Sequence, residues 1–426
     1  MKKILILYPH FPPSNLAGVH RPRLFAQHLA SFGWEPIVLT VNEKNYEEDL
    51  DYNLVKLLPE NLRIEKVNAF KITRPRMIGD LGLRAFFQLY KKAKELIRKE
   101  KIDFLYISIP SFYCALLGRW LHQSTGIRYG IDYIDPWVHE FPGSKNIFSR
   151  HWLSTKMAKV LEPIAVKNAS LMTGVAEGYY IPVLERNPSL KKKIIRGSMP
   201  YGGEQSDTKA LRELSLQPYL FAKKKDTLQL VYAGAMMPKS YKPLEAIFKS
   251  ISNHPGEFSN IEFHFVGTGS RPNDATSFNI KSLAERYNLW QTNVYEYPKR
   301  IPYLDVLIHL QAADGIFILG STEPHYTPSK IYQGILSGKY LLAVLHEKST
   351  AVKVLEESGA GTTLSFNGEQ DLGGIESQFA TVFAQWKEKC KSFCSDQVNM
   401  KILDEYSARS VSRTLSELLN KAMDSD

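Results

Sequence analysis

Residues 314–345, DGIFILGSTEPHYTPSKIYQGILSGKYLLAVL, decide the fold. They open on an apolar run, Asp314–Leu319, that reads as a buried strand. A polar loop follows, then a helical pattern from Pro328 to Ser337, then a second apolar run from Lys339 to Leu345. A strand, a helix and a strand at this spacing form the β-α-β unit of a parallel sheet, whose strands are apolar on both faces because helices cover both.

The alternation continues outward on the N-terminal side. Strands are predicted at Leu228–Ala233 and Ile261–Val266, with a helix at Pro243–Ser252 between them. In the first half the same reading gives strands at Ile4–Tyr8, Pro36–Val41, Ile102–Ser108, Arg128–Tyr133 and Leu171–Val175. Helices are predicted at Arg23–Ser31, ended by Gly33, and at Leu83–Glu100. The pattern lapses over Tyr201–Lys225 and then restarts. The expected fold class is therefore α/β, with two Rossmann-like αβα domains facing across a cleft. The predicted boundaries are a domain over 1–205, a linker over 206–226, a domain over 227–400, and a C-terminal helix over 401–426 that could cross back to the first domain. Ligands of such sheets bind beyond the carboxyl ends of the strands, so the loops there are the candidates for function.

Composition narrows the classes. With 44% hydrophobic and 23% charged residues, the 426-residue chain has globular proportions. Its net charge of +10 is unevenly spread: residues 1–200 carry 30 Lys and Arg against 18 Asp and Glu, while residues 201–426 carry 24 against 26. A basic half suits phosphate, an anionic lipid surface or nucleic acid. Three cysteines, Cys114, Cys390 and Cys394, argue for a reducing compartment and against a disulfide framework. The opening MKKILILYPHFPPS is too short in apolar residues for a signal peptide, and no run reaches membrane-spanning length. A soluble, cytoplasmic protein is expected, at most peripheral on the inner face of the plasma membrane.

Five loops carry candidate chemistry. After the first strand, YPHFPPSNLAGVHRPR offers Gly18 for close backbone approach at a helix start, with Arg21 and Arg23 adding charge; it reads as a phosphate or sugar contact or as a plain turn. IDYIDPWVHEFPG puts Asp135, Trp137 and His139 past a strand end, where rings cover sugar faces and carboxylates bind hydroxyls; equally, Trp137 is core and Asp135 caps a turn. LVYAGAMMPKSYKP sets Gly234 after a strand and Lys239 and Lys242 near the next helix, where they can neutralise a diphosphate. FHFVGTGS gives Gly267 and Gly269 in a turn that lets backbone approach a base or phosphate. In the opening stretch Thr327 is a candidate N-cap, Ser329 and Lys330 occupy the first turn as a diphosphate cradle, Gln333 can reach a ribose, and Glu323 can reach sugar hydroxyls. No Gly-x-Gly-x-x-Gly fingerprint is present in the first loop, which disfavours a nicotinamide enzyme.

With these loops in view, the chain resembles the family 4 retaining glycosyltransferases of the two-Rossmann, GT-B type. The likeness spans nearly the whole chain and rests on PHFPP with AGVHR, SFGWEPIVLTV, IDYIDPW, LEPIAVKNASLMTGVAEGYY, PYGGE, YAGAMMPKSYKP and, above all, TPSKIYQGILSGKYLLA. It implies transfer of a sugar from a nucleotide-diphosphate donor with retained configuration and no metal or other cofactor. The C-terminal domain would hold the nucleotide, and the N-terminal domain a glycan or lipid-linked acceptor, as in surface polysaccharide or glycoconjugate assembly. By the same likeness Gly18 offers its amide to the diphosphate and Asp135 is the acid of the Asp-Pro-Trp segment. Lys239 and Lys242 are the basic diphosphate contacts, and Gly267 lies near the base. The family's arginine after the strand glycine is Ala235 here, and its two glutamates are His325 and Gln333.

Those departures keep a catalytically silent, glycan- or partner-binding relative open as a second reading; a nucleotide-sugar epimerase of the same architecture is a third. The basic half finds a use in Leu83–Lys101, which sets Phe86, Leu89, Tyr90, Ala93, Leu96 and Ile97 on one helical face. Arg84, Lys91, Lys92, Lys94, Arg98, Lys99 and Lys101 surround them. Such a helix either covers the sheet or also meets an anionic membrane surface. Nucleic acid is not expected, since no recognition motif is present.

Overall fold

The structure is a computed structural model that describes residues 1–73, 78–138, 147, 149–324, 326 and 328–425. Residues Met1–Tyr201 with Ala408–Asp426 form one compact unit, and Gly202–Ser407 form the other.

The first unit is built on seven strands: β1 (Lys2–Leu7), β2 (Trp34–Val41), β3 (Arg63–Val67), β4 (Phe104–Ile109), β5 (Arg128–Tyr133), β6 (Leu171–Gly174) and β7 (Ile195–Ser198). They lie in the order β3-β2-β1-β4-β5-β6-β7, every pair parallel. Side chains alternate across the pleat. Leu5, Leu7, Leu39, Leu105 and Ile107 face the helices Phe86–Glu100, Ala115–Thr125 and Arg150–Val166. Ile4, Ile6, Val38, Phe104 and Tyr106 face the helices His20–His28 and Ala408–Asp424.

The last of these helices arrives from beyond the second unit. Val411, Leu415, Leu418, Leu419 and Ala422 are buried on the sheet. Lys2 Nζ donates to Asn420 Oδ1 at 3.1 Å, and Arg128 donates to the carbonyls of Ala422 and Met423 at the helix end. Gly197 leaves the room that Leu418 fills, since a Cβ there would stand 2.6 Å from Leu418 Cδ1.

In the second unit six strands, β8 (Leu228–Ala233), β9 (Ile261–Val266), β10 (Val294–Tyr297), β11 (Gly315–Leu319), β12 (Tyr340–His346) and β13 (Gly361–Phe366), take the parallel order β10-β9-β8-β11-β12-β13. Phe263, Phe265, Phe317 and Leu342 pack under the helices Tyr241–Asn253 and Leu372–Ser392. The fold class read from the sequence, two parallel αβα bodies, is the one observed. In each sheet the order reverses once, between β1 and β4 and between β8 and β11, the place where ligands of such sheets generally bind.

Several boundaries differ from expectation. The change of unit comes at Tyr201–Gly202, and the stretch expected as a linker, 206–226, belongs to the second unit. Gln205–Glu213 is a helix, and the aperiodic segment after it is held by individual bonds. The amides of Tyr219 and Leu220 both donate to His309 Nε2 at 3.0 Å, and Lys224 pairs with Glu262 at 2.6 Å. The helix expected over Leu83–Glu100 is two, Leu81–Arg84 and Phe86–Glu100, broken where Ala85 leaves helical geometry at φ −101°, ψ 4°. Among the described residues no helix is long and apolar enough to cross a membrane.

Candidate functional site

The second unit gathers most of the candidate residues beyond β8, β9 and β11. Strand β8 ends in Gly234, whose φ of +108° is open essentially to glycine alone. The glycine is also needed for space: a Cβ there would stand 2.7 Å from Lys330 Cε and 3.0 Å from Lys330 Nζ. Lys330 opens the helix Lys330–Leu336, and its side chain runs back across Gly234. Its ammonium lies 3.9 Å over the Tyr232 ring and donates to Tyr232 Oη at 2.7 Å and to the Ala235 carbonyl at 3.4 Å. Tyr232 Oη in turn donates to the Ala235 carbonyl at 3.1 Å.

Lys330 pairs with no carboxylate among the described residues. Burial without a counter-charge pulls its pKa down from 10.5 to about 7. Cation and aromatic face are thus packed together with no acidic partner among the described residues.

Gly267 stands beside this pair. Its φ is +71°, and a Cβ on it would come within 3.9 Å of Gly234 Cα. The loop it begins is tied down by Glu296, a residue the sequence did not single out. The buried Glu296 carboxylate accepts from Thr268 Oγ1 (2.8 Å) and from the amides of Asn279 (2.9 Å), Ile280 (2.9 Å) and Lys281 (3.0 Å). One acid therefore caps the helix Lys281–Arg286 and fixes the glycine turn together. The Gly269 amide is engaged with the Pro298 carbonyl at 2.9 Å, and a Cβ would meet that oxygen at 2.6 Å, so this glycine serves packing.

Across the β8/β11 switch point, Glu323 accepts from Lys239 Nζ at 2.9 Å, and the Thr322 amide donates to the Lys239 carbonyl at 3.2 Å. The two loops are thereby latched, with Lys239 more than half exposed. Lys242 instead pairs with Glu369 at 2.6 Å, both well exposed, an ion pair worth about 0–1 kcal/mol. Ser329 precedes the helix with no side-chain capping bond, so the helix starts at Lys330, two residues later than expected. Gln333 follows Lys330 by three residues on that helix, half-buried. Thr327 and His325 lie outside the described residues.

The first unit holds the other two candidates. Gly18 sits in the short 3-10 turn Ala17–Val19 that leads into the helix His20–His28, and the Tyr8 hydroxyl occupies the place of its missing Cβ. Asp135 is exposed past β5; its charge, with burial as the main cause, pushes the Tyr8 and Tyr201 hydroxyls well above the usual tyrosine range.

Trp137 is core, stacked on Phe112 at 5.9 Å and 6°, which settles its two readings for packing. His139 lies outside the described residues. The charge expected from Arg21 and Arg23 at the helix start is absent from the surface, for both are 1% exposed. Arg21 grips buried Asp132 through Nε (2.6 Å) and Nη2 (2.9 Å), and its Nη1 donates to the carbonyls of Met199 (2.8 Å) and Pro200 (3.0 Å).

Beyond β1 lies a group the sequence did not mark. His10 Nδ1 donates to Glu48 Oε1 at 2.7 Å, and Ser14 Oγ donates to the same oxygen. Burial raises the Glu48 pKa, but those bonds outweigh it and hold the carboxyl at about 2. No local pattern announces this group, because His10 and Glu48 are 38 residues apart.

Among solved structures the chain is similar to sucrose-phosphate synthase from Thermosynechococcus elongatus, with TM-score 0.63 and 15% identity over 100% of both chains. Anabaena HepE in complex with UDP and glucose matches with TM-score 0.62 and 14% identity over 99% of this chain and 100% of that one. OtsA matches with TM-score 0.62 and 10% identity over 98% and 99%. These neighbours have the two-domain GT-B fold, and at such identities the likeness is one of fold. No protein-family model matches, and no curated protein sequence matches.

Proposed function

We propose that the protein is a glycosyltransferase that takes a sugar from a nucleotide-diphosphate donor held by the second unit. The observation that carries this reading is Lys330, folded over Gly234 onto Tyr232 beside Gly267, where a diphosphate would supply the missing negative charge. HepE, a neighbour in fold, is crystallised with UDP-glucose, which makes uridine donors the first to try.

In this reading, departure of the nucleoside diphosphate is the demanding step. Its growing charge is met by Lys330 and by Lys239, which Glu323 releases as the ligand arrives. Lys242 adds long-range attraction, Ser329 and Gly267 approach the phosphates and base, and Gln333 bonds the ribose as a neutral group. Retention of configuration without a metal, a glycan or lipid-linked acceptor engaged by the first unit near Gly18 and Asp135, and a role in surface polysaccharide or glycoconjugate assembly complete the proposal. An anionic membrane surface is the proposed partner of the first unit.

The test is calorimetric binding of uridine-, guanosine- and adenosine-diphosphate sugars to the full chain, repeated with Lys330→Ala. At least one donor should bind, and the variant should bind it more than about tenfold more weakly, the loss expected for one charged hydrogen bond. An unchanged affinity would remove Lys330 from the site. Product analysis without acceptor tests the third reading: a 2-epimerised nucleotide sugar would replace the transferase by an epimerase.

A further inference from the structure

The helix Arg150–Val166 has two apolar sides. Ala158, Ala165 and Val166 are buried on the first sheet. Leu153, Met157, Val160 and Ile164, at steps of four, three and four residues, fall on one stripe of the opposite side. They are 54%, 39%, 65% and 43% exposed. Single exposed apolar residues are ordinary, but four in one stripe mark a contact surface. Lys156, Lys159 and Lys167, all exposed, border it. The helix's one acid, Glu162, is buried and held by Arg186 through two bonds of 2.8 Å, so the helix itself puts no negative charge on that face.

Neighbouring helices of the same layer extend the character of the surface. Trp120 and Phe87 are 41% and 59% exposed, Trp120 stands edge-on to Phe86 at 5.0 Å, and Lys94 lies 5.7 Å over Tyr90. The helix Phe86–Glu100, by contrast, turns Leu89, Ala93 and Leu96 to the sheet. Lys92 is paired with Glu65 and Glu95, and Arg84 just before the helix is paired with Glu47.

We propose that the Leu153/Met157/Val160/Ile164 face docks the first unit on an anionic lipid bilayer. The aliphatic side chains enter the acyl boundary, the lysines meet headgroup phosphates, and the aromatic cluster lies at headgroup depth. Charge complementarity selects this occupant: three exposed lysines on a helix whose one acid is buried fit a sheet of phosphates and would be repelled by the same face of a second copy. The inference rests on the proposed membrane partner of the first unit and places it on a different helix from the one the sequence suggested.

The experiment is sedimentation of the full chain with vesicles of phosphatidylglycerol in phosphatidylcholine, and with pure phosphatidylcholine. Wild type should sediment with the first and little with the second. Met157→Glu with Val160→Glu, and separately Lys156, Lys159 and Lys167 each→Glu, should lower partitioning more than about tenfold. Both sets lie on the surface, and unchanged thermal unfolding and nucleotide-sugar binding verify an intact fold. Undiminished sedimentation of either variant overturns the inference and leaves the membrane reading standing. Absence of wild-type sedimentation overturns both; a dimer, seen by light scattering, that Met157→Glu with Val160→Glu dissolves overturns the inference alone.

Discussion

Adding one methyl group at Gly234 should disturb two properties that are separable by measurement. Alanine at φ +108° occupies a region that costs a residue with a Cβ about 1–3 kcal/mol. For a unit of this size that corresponds to a fall of roughly 2–12 °C in its unfolding midpoint. The new Cβ would also stand 2.7 Å from Lys330 Cε, so the lysine must swing off Tyr232. Displacing a charged group that contacts a diphosphate costs about 1.5–3 kcal/mol, or roughly 10- to 150-fold in affinity. Calorimetry with a nucleotide sugar on wild type, Gly234→Ala, Lys330→Ala and the double variant reads the second effect. If Gly234 acts by seating Lys330, Gly234→Ala should weaken binding strongly in wild type and by less than about threefold in the Lys330→Ala background. Full additivity of the two losses, or an unchanged affinity in Gly234→Ala, would refute the reasoning.

Three further outcomes are expected. With Lys330 near 7 in the free protein and 10.5 when solvated, an arriving diphosphate should restore its proton, so donor binding at pH 8 should take up protons, weaken as pH rises further, and lose this uptake in Lys330→Ala; calorimetry in buffers of different ionisation heat measures it, and zero uptake contradicts it. Arg21→Met leaves the Asp132 carboxylate buried with no cationic partner and only the neutral hydroxyls of Thr173, Ser108 and Tyr106 among its described hydrogen-bonding neighbours, which should cost about 3–5 kcal/mol and lower the unfolding midpoint by roughly 6–20 °C. Glu48 sits at about 2 when folded against 4.5 when solvated, so the unfolded chain binds more protons in that window; its stabilisation is present above pH 4.5 and lost as pH falls toward 2, and Glu48→Gln should flatten that part of the stability curve in acid titrations.

The sequence was most legible where burial on both faces dictates the residues. Strands β5, β8 and β9 have the very bounds read from their apolar runs, and Asp314–Leu319 differs from β11 by one residue. It was less legible where structure is held by partners distant along the chain. The segment 206–226 has no period because His309 and Glu262 hold its second half. The paired Arg21 looked like surface charge because its counter-ion lies 111 residues away. At the candidate site the residue types were readable and their conformation was not. Lys330 in a first helical turn reads as part of a diphosphate cradle, but its path over Gly234 depends on a tyrosine 98 residues earlier. Glu296, His10 and Glu48 gave no local signal at all, since each acts through bonds to other loops.

The helix Ala408–Asp424 closes the first sheet although its residues follow the whole second unit in the chain. On a ribosome, Ile4, Ile6, Val38 and Phe104 emerge first and wait with that face of their sheet only partly covered, by Phe25 and its helix, while residues 202–407, contiguous in sequence, can complete their core as they appear. The unit made first is thus finished last. Until Val411, Leu415 and Leu418 arrive, that open face is a surface for chaperones to guard, and a stop codon ahead of residue 408 would harm the distant beginning of the chain more than the unit it interrupts.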